Sequence, residues 1–197
     1  MGKGATTREA IVKQALDRAV QVGLSGLSLG PLADDLSLSK SGLFAHFKSK
    51  EILQLAVLQE AIDRFTVRVV EPGLKTPRGR ARMEALMHRW FDWIEGEPGM
   101  RGCLFSVAAQ EYDDRPGAIR DLLVGSQMWW QETLARVAVD LPTGGPMPAD
   151  MCQQVAFEVS GSVLAFQQQT KLFKSPDARA RAEAAVSRIL DHAESVV

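Results

Sequence analysis

Apolar residues recur along this chain at intervals of three and four, and clusters of Gly and Pro interrupt them, so the pattern predicts helix after helix. No stretch sustains a two-residue alternation closed by hairpin turns, and the fold class is read as all-α. From Thr7 to Val22 the residues Ile11, Ala15, Leu16, Ala19 and Val22 fall on one face, and Gly23 stands where a helix-ending glycine belongs. Ser28 is placed to cap a second, short helix. Pro31 falls in its first turn, where a missing N–H removes no intrahelical bond, and Leu32, Ala33 and Leu36 give it a buried side. Ser39 caps a third helix through about Phe47, and Ser49 a fourth that begins at Lys50 and runs to about Val70. Breaks at EPGLKTPRG, GEPGMRG, DDRPG, DLPTGGPMP and KSP leave helices near 80–95, 102–112, 116–139, 149–172 and 177–196.

The second and third of these helices have the size and spacing of a helix-turn-helix. That motif needs a small residue where its helices touch, a tight turn four places later and apolar anchors on either side. Ala33, Ser37, Leu38 and Leu43 fill those places. A left-handed turn prefers glycine, so Ser37 should cost about 1 kcal/mol there. Leu43 and Phe47, four apart, face inward and leave Lys40, Ser41, Phe44 and Ala45 toward a DNA groove. Lys40 and Ser41 can hydrogen-bond base edges or phosphates, and Phe44 and Ala45 can touch a thymine methyl. Gly42 permits close approach of the backbone, and the capping Ser39 is grouped with these residues. His46, Lys48 and Lys50 follow where donors commonly meet the sugar-phosphate backbone. The expected partner is a double-stranded DNA operator.

The net charge of −1 would argue against nucleic acid if it were evenly spread. Through Lys50, however, seven cations (Lys3, Arg8, Lys13, Arg18, Lys40, Lys48, Lys50) face four carboxylates (Glu9, Asp17, Asp34, Asp35), so a +3 head sits on a −4 remainder. The chain is read as a DNA-binding domain over residues 1–50 and a helical ligand-binding and dimerisation domain over 51–197. No apolar run reaches the roughly 18 residues of a membrane span, and MGKGATTREAIVKQ carries no export signal, so a cytoplasmic location without membrane partners is expected. Cys103 and Cys152 lack metal-type spacing and read as buried free thiols.

At the third helix the run S-L-S-K-S-G-L-F-A-H-F-K-S-K-E-I-L resembles the TetR/AcrR family of bacterial transcriptional regulators, whose heads typically end in G-V-S-x-G-x-L-Y-x-H-F-x-S-K-E-x-L. The resemblance covers roughly residues 7 to 58. It implies a three-helix DNA-binding head on a larger helical body, about nine helices in all, with Lys40, Ser41, Phe44, Ala45, His46 and Lys50 at DNA-contacting positions. Ser37 replaces the usual turn glycine. Phe44 replaces the usual tyrosine and so lacks a hydroxyl that often reaches phosphate.

The resemblance further implies a two-fold homodimer whose last two helices pair with their symmetry mates. Apolar stripes at Val155, Val159, Val163 and Phe166, and at Ala182, Ala185, Val186, Ile189, Leu190 and Ala193, are compatible with that pairing. Between the fourth helix and this pair, Met83, Met87, Trp90, Phe91, Trp93, Phe105, Met128, Trp129 and Trp130 concentrate large apolar side chains. Met87, Trp90, Phe91, Phe105, Met128 and Trp129 are the candidates to line a cavity for a small apolar or aromatic effector, with Gln110, Tyr112, Gln127 and Gln131 able to orient it. By resemblance, the family's inducer sites lie between these helices. Such an effector would release the dimer from a palindromic operator, as a repressor does. An enzyme would need signatures this chain lacks: its histidines, His46, His88 and His192, form no HExxH or Glu-x-x-His pair, and DDRPG reads as a turn. No catalytic residue, cofactor or metal is expected. The alternative from another class is a helical ligand-binding or adaptor protein that has lost operator binding.

Overall fold

A computed structural model of the chain describes residues 3–96 and 103–195, with side chains from residue 7 onward. Nine helical segments appear among the described residues, and no strand. They are α1 (Lys3–Val22), α2 (Leu29–Asp35), α3 (Lys40–His46), α4 (Lys50–Phe65, continued by a π turn Thr66–Val70 and a last turn Glu71–Leu74), α5 (Arg80–Glu95), α6 (Leu104–Tyr112), α7 (Ala118–Ala138), α8 (Ala149–Lys171) and α9 (Ala178–Ser195). The GEPGMRG break, from Glu97 on, and the start of the expected 102–112 helix lie outside the described residues, as does the side chain of Lys3.

Residues pack as two compact units, Met1–Arg64 with Pro98–Gly125 and Phe65–Glu97 with Ser126–Val197. The core of the first is built by Ile11, Ala15, Leu16 and Ala19 of α1, Leu24 and Leu27 of the following loop, Leu32 and Ala33 of α2, Leu43 and Phe47 around α3, and Leu53, Val57 and Leu58 of α4. Val22 was expected on this face but is 46% exposed, while Val12 is buried. The helix ends at Gly23 before Val22 can be covered. Leu36 is only partly buried, because it is the C-cap of α2 and no longer on the helical stripe.

Helix ends follow local chemistry. The Ser39 hydroxyl accepts from Gly42 N at 3.0 Å and that of Ser49 from Ile52 N at 3.1 Å. Ser28 has the extended backbone of an N-cap, but its hydroxyl makes no capping bond. After α2 the chain turns through Ser37 at φ 54°. Leu38 N donates to Ala33 O (2.9 Å) and Ser37 N to Asp34 O (3.1 Å), the paired bonds of a Schellman ending. Serine therefore sits where glycine costs least.

The fourth helix runs past its expected end at Val70. Pro72 removes one N–H and would strike the carbonyl four residues back, but the π turn immediately before it widens the spiral, with Glu71 N bonded to Thr66 O five residues away. The last turn then lies close to α5, where a Cβ on Gly73 would stand 2.2 Å from Leu86 Cδ2.

In the second unit α8 and α9 pack along each other, and both meet α5. Val155, Val159, Val163 and Phe166 are buried with Ala182, Val186, Leu190 and Ala193. Two arginines fasten α9 to α5. Arg80 donates to Glu84 (2.7 Å), Asp191 (2.7 Å), Glu194 (3.0 Å) and Ser187 (2.9 Å). The bond to Asp191, then that to Glu84, raises its guanidinium above the ordinary value. Arg179 bonds Glu183 (2.6 Å), Asp92 (2.8 Å) and Glu95 (3.1 Å) while lying 5.2 Å over the Phe91 ring. Burial alone would lower Arg179, and its acceptors turn the net shift upward. Both cysteines are buried, and burial pushes the Cys152 thiol up, which keeps it from the reactive thiolate form.

Ser37→Gly is expected to relieve the left-handed strain by more than the backbone entropy that glycine adds, a net gain of about 0.5–1 kcal/mol, and to raise the melting temperature by about 2 °C. Thermal unfolding followed by circular dichroism reads this directly. No rise would mean that the turn is not strained by its side chain.

Candidate nucleic-acid interface

Burial divides α3 into two faces. Leu43 and the following Phe47 are 0% exposed, whereas Lys40, Ser41, Phe44 and Ala45 all face outward. Phe44 is 51% exposed, an apolar ring held in water by its position on the helix. Gly42 and His46 are partly covered, and Ser39 and Lys48 are exposed. All nine residues expected at the interface therefore lie on one short segment with its apolar anchors turned inward. The Ser39 and Ser41 hydroxyls lie 3.1 Å apart and can bond each other, so Ser41 starts from a positioned hydroxyl. Arg8 of α1 lies 4.9 Å over the Phe47 ring, adding a cation–π contact at the end of α3.

Lys50 has a second task that its sequence position did not reveal. Its ammonium donates to Ser25 O at 2.6 Å, so it fixes the α1–α2 loop and has only its remaining N–H groups for an outside acceptor. The same loop is held from two further sides. Buried Gln54 donates to Leu24 O (2.7 Å) and to the Tyr112 hydroxyl (3.2 Å), and the Glu111 carboxylate accepts from Ser25 N (3.0 Å) and Ser25 Oγ (2.7 Å). Burial raises the Tyr112 phenol above its ordinary value, which keeps it a neutral partner for Gln54. Gly23, at φ 80°, leaves room for this arrangement, since a Cβ there would stand 2.0 Å from Glu111 Oε1. Arg18 and Asp35 pair across α1 and α2.

Large apolar residues of the body are sorted by helical register. Phe65, Trp90, Trp93 and Trp130 form an edge-to-face cluster with Phe65–Trp130 and Trp90–Trp130 centroids 5.2 Å apart and Phe65–Trp93 at 5.4 Å. Met87 and Phe91 are buried, the latter 4.8 Å from Phe166, and Trp90 is partly exposed. Met128 and Trp129 point to the surface, 58% and 40% exposed, and Trp130 takes the inward place. Successive helical residues are turned about 100° from one another, so three large neighbours cannot share one wall. Phe105 is buried in the first unit. Gln131 donates to Ser160 (2.9 Å) and Tyr112 serves Gln54, so two of the four polar candidates are committed within the fold. The indole N–H of Trp130 is buried with no hydrogen-bond partner among the described residues.

Residues expected to meet a second copy are mostly used within the chain. Val155, Val159, Val163, Phe166, Ala182, Val186, Leu190 and Ala193 are buried, and Ala185 and Ile189 partly so. Hydrophobic periodicity finds a covered face without saying which element covers it. A different part of α8 and its end carries exposed apolar groups: Phe157 (71%), Leu164 (61%), Leu172 (68%) and Phe173 (57%). The spacing of Phe157, Gly161 and Leu164 beside the buried stripe was the signal that could have found it.

No group of three or more His, Cys, Asp or Glu side chains among the described residues is placed to hold a metal ion. No helix among them is long and apolar enough to cross a membrane.

Gly23→Ala is expected to force a residue with a Cβ into left-handed backbone and to displace Glu111 from Ser25, costing more than about 1 kcal/mol. Denaturant unfolding measures it, and an unchanged midpoint would show that neither constraint operates.

Comparison with known proteins agrees with this arrangement. The HTH-type transcriptional activator FasR of Mycolicibacterium smegmatis is 36% identical over 76 residues, which cover 39% of this chain and 35% of that protein. The match thus spans about a third of that relative's length. A TetR-family transcriptional regulator from Streptomyces coelicolor superposes with a TM-score of 0.83 at 17% identity, over 96% of this chain and 97% of that one. AibR, solved in complex with isovaleryl coenzyme A and operator DNA, superposes with a TM-score of 0.70 at 21% identity, over 94% and 96%. Residues 79–186, more than half of the chain, match the family model of the tetracyclin repressor-like C-terminal domain. With that model over more than half of its length and the same helical plan throughout, the chain belongs to the TetR family of transcriptional regulators.

Proposed function

We propose that this TetR-family regulator is a repressor that binds a palindromic operator as a homodimer and leaves it when a small apolar or aromatic ligand binds the body. Residues 1–50 form the DNA-binding domain and residues 51–197 the ligand-binding and dimerisation domain. The observation that carries the reading is the exposed face of α3, where Lys40, Ser41, Phe44 and Ala45 stand together over buried Leu43 and Phe47. Laid in the major groove, this face offers hydrogen-bond donors from Lys40 and Ser41 to base edges, and apolar contact from Phe44 and Ala45 to thymine methyls. Ser39, Gly42, His46, Lys48 and Lys50 border it and meet the sugar-phosphate backbone. This role belongs in the cytoplasm.

Dimerisation falls to the exposed apolar residues of α8 and its end, Phe157, Leu164, Leu172 and Phe173, since the buried stripes are already used. One short reading helix makes too small a contact for specific recognition, and a two-fold pair doubles it. In the body the aromatic cluster supplies an apolar surface, and the unpartnered Trp130 N–H supplies a donor for a ligand acceptor. AibR offers a precedent for a relative in fold that binds both an acyl thioester and operator DNA. The ligand must prefer the conformation that cannot grip DNA, because equal affinity for both would shift nothing.

Selection of random duplex DNA on the purified protein is expected to enrich an inverted repeat whose affinity falls steeply with salt. Failure to enrich any sequence would favour a helical ligand carrier. On the enriched operator, Lys40→Ala is expected to cost about 1–3 kcal/mol and relax one base position, whereas Lys48→Ala should weaken all sequences alike. Lys48 is the cleaner backbone probe because Lys50 also holds Ser25. Equal, sequence-blind losses would overturn the reading role of Lys40. For the dimer, Leu164→Arg is expected to give a folded monomer in sedimentation, whereas Val159→Arg, at a site 0% exposed, should unfold the chain. A Leu164→Arg protein that stays dimeric would move the interface elsewhere.

A further inference from the structure

In the second unit the end of α4, the start of α5 and the end of α7 enclose an open cleft of about 390 Å³. Its floor is apolar, formed by Leu74, Val137 and Val139, and three arginines, Arg78, Arg82 and Arg136, stand around it with one carboxylate, Asp140. Three guanidinium groups against one carboxylate leave a local charge of +2 in a chain whose net charge is −1. Among the described residues, two of the arginines are each anchored by one arm. Arg82 Nε donates to Thr76 O at 2.9 Å, and Arg136 Nη2 to Thr133 Oγ1 at 2.9 Å, with Thr133 itself buried. A guanidinium carries five N–H donors, so each anchored fork keeps most of its donors for another acceptor while its position is already fixed. Arg78 faces Asp140 across 3.9 Å, with 76% of its side chain exposed, a long pair that a stronger anion can replace.

We propose that this cleft binds a phosphate monoester carried on a short apolar group. A phosphate monoester carries about −1.5 to −2 charges at neutral pH, which matches the local excess. Its three terminal oxygens suit several forked donors, and Arg is the side chain whose geometry pairs with them. The apolar part lies on Leu74, Val137 and Val139, which a free inorganic ion would leave uncovered. Asp140 acts against the anion, so the site discriminates by charge as well as by shape. The proposal does not depend on operator binding, and its test needs no DNA.

Isothermal titration of the full chain at low salt with hexyl phosphate, inorganic phosphate and hexanoate tests it. Hexyl phosphate is expected to bind saturably at one site per chain, about tenfold or more tighter than either of the others. Arg78→Gln, which breaks only a long surface pair, and Arg136→Gln should each weaken it by about tenfold, with melting curves recorded to confirm folding. Asp140→Asn should tighten binding several-fold, an effect opposite in sign to that of losing a structural contact. Absence of saturable binding, inorganic phosphate binding as tightly as hexyl phosphate, wild-type affinity in folded Arg78→Gln, or weaker binding in Asp140→Asn would each overturn the proposal.

Discussion

The placement of α3 depends on a buried amide. Gln54, nearly without solvent contact, donates to the Leu24 carbonyl in the loop after α1 and to the hydroxyl of Tyr112 on α6. A carbonyl left bare in that core would cost about 1–3 kcal/mol, so α4 and the end of α1 hold one registration. Lys50 and Glu111 secure the next residue, Ser25, from either side. With the loop fixed at three points, α2 starts in a defined direction, and the Schellman turn at Ser37 carries that direction into α3. The outward face of α3 is thus set largely by hydrogen bonds that α3 itself does not make.

The second unit uses ionic contacts for a related purpose. Arg80 and Arg179 each gather several carboxylates on α5 and α9, with most of each side chain shielded from water. Forked donors with several acceptors fix angle as well as distance, which single surface pairs do not. The α8–α9 pair therefore has its inner face filled and its rotation held. Its outer apolar residues remain presented on a rigid support, a favourable condition for a partner surface.

Much of the architecture was legible in the residues because it is local. Helix periodicity, the Ser39 and Ser49 caps, the glycine ending of α1 and the left-handed turn at Ser37 all depend on neighbours within a few positions, and the structure shows each of them. Ser28 is the exception among the caps. The end of α4 departs from its local signal: a proline marks a break, but a π turn accommodates it and the helix runs on to Leu74. Among the aromatics, composition marks the helices but not the register: Trp130 rather than Trp129 joins the cluster, because register is settled by packing.

An all-α chain, a helix-turn-helix with its exposed and buried faces, and membership of a regulator family could be read from the residues alone, because spacing and capping are written into consecutive positions. Which element covers each apolar stripe came from the three-dimensional packing. It moved Val155, Val159, Val163 and Phe166 from a presumed meeting with a second copy into the chain's own core, and it left Phe157 and Leu164 in water. It also drew Arg78, Arg82 and Arg136 around one cleft from separate helices and a loop. Periodicity reports that a face is apolar, and charge reports that a residue is cationic, but neither carries the identity of the neighbour that long-range packing supplies.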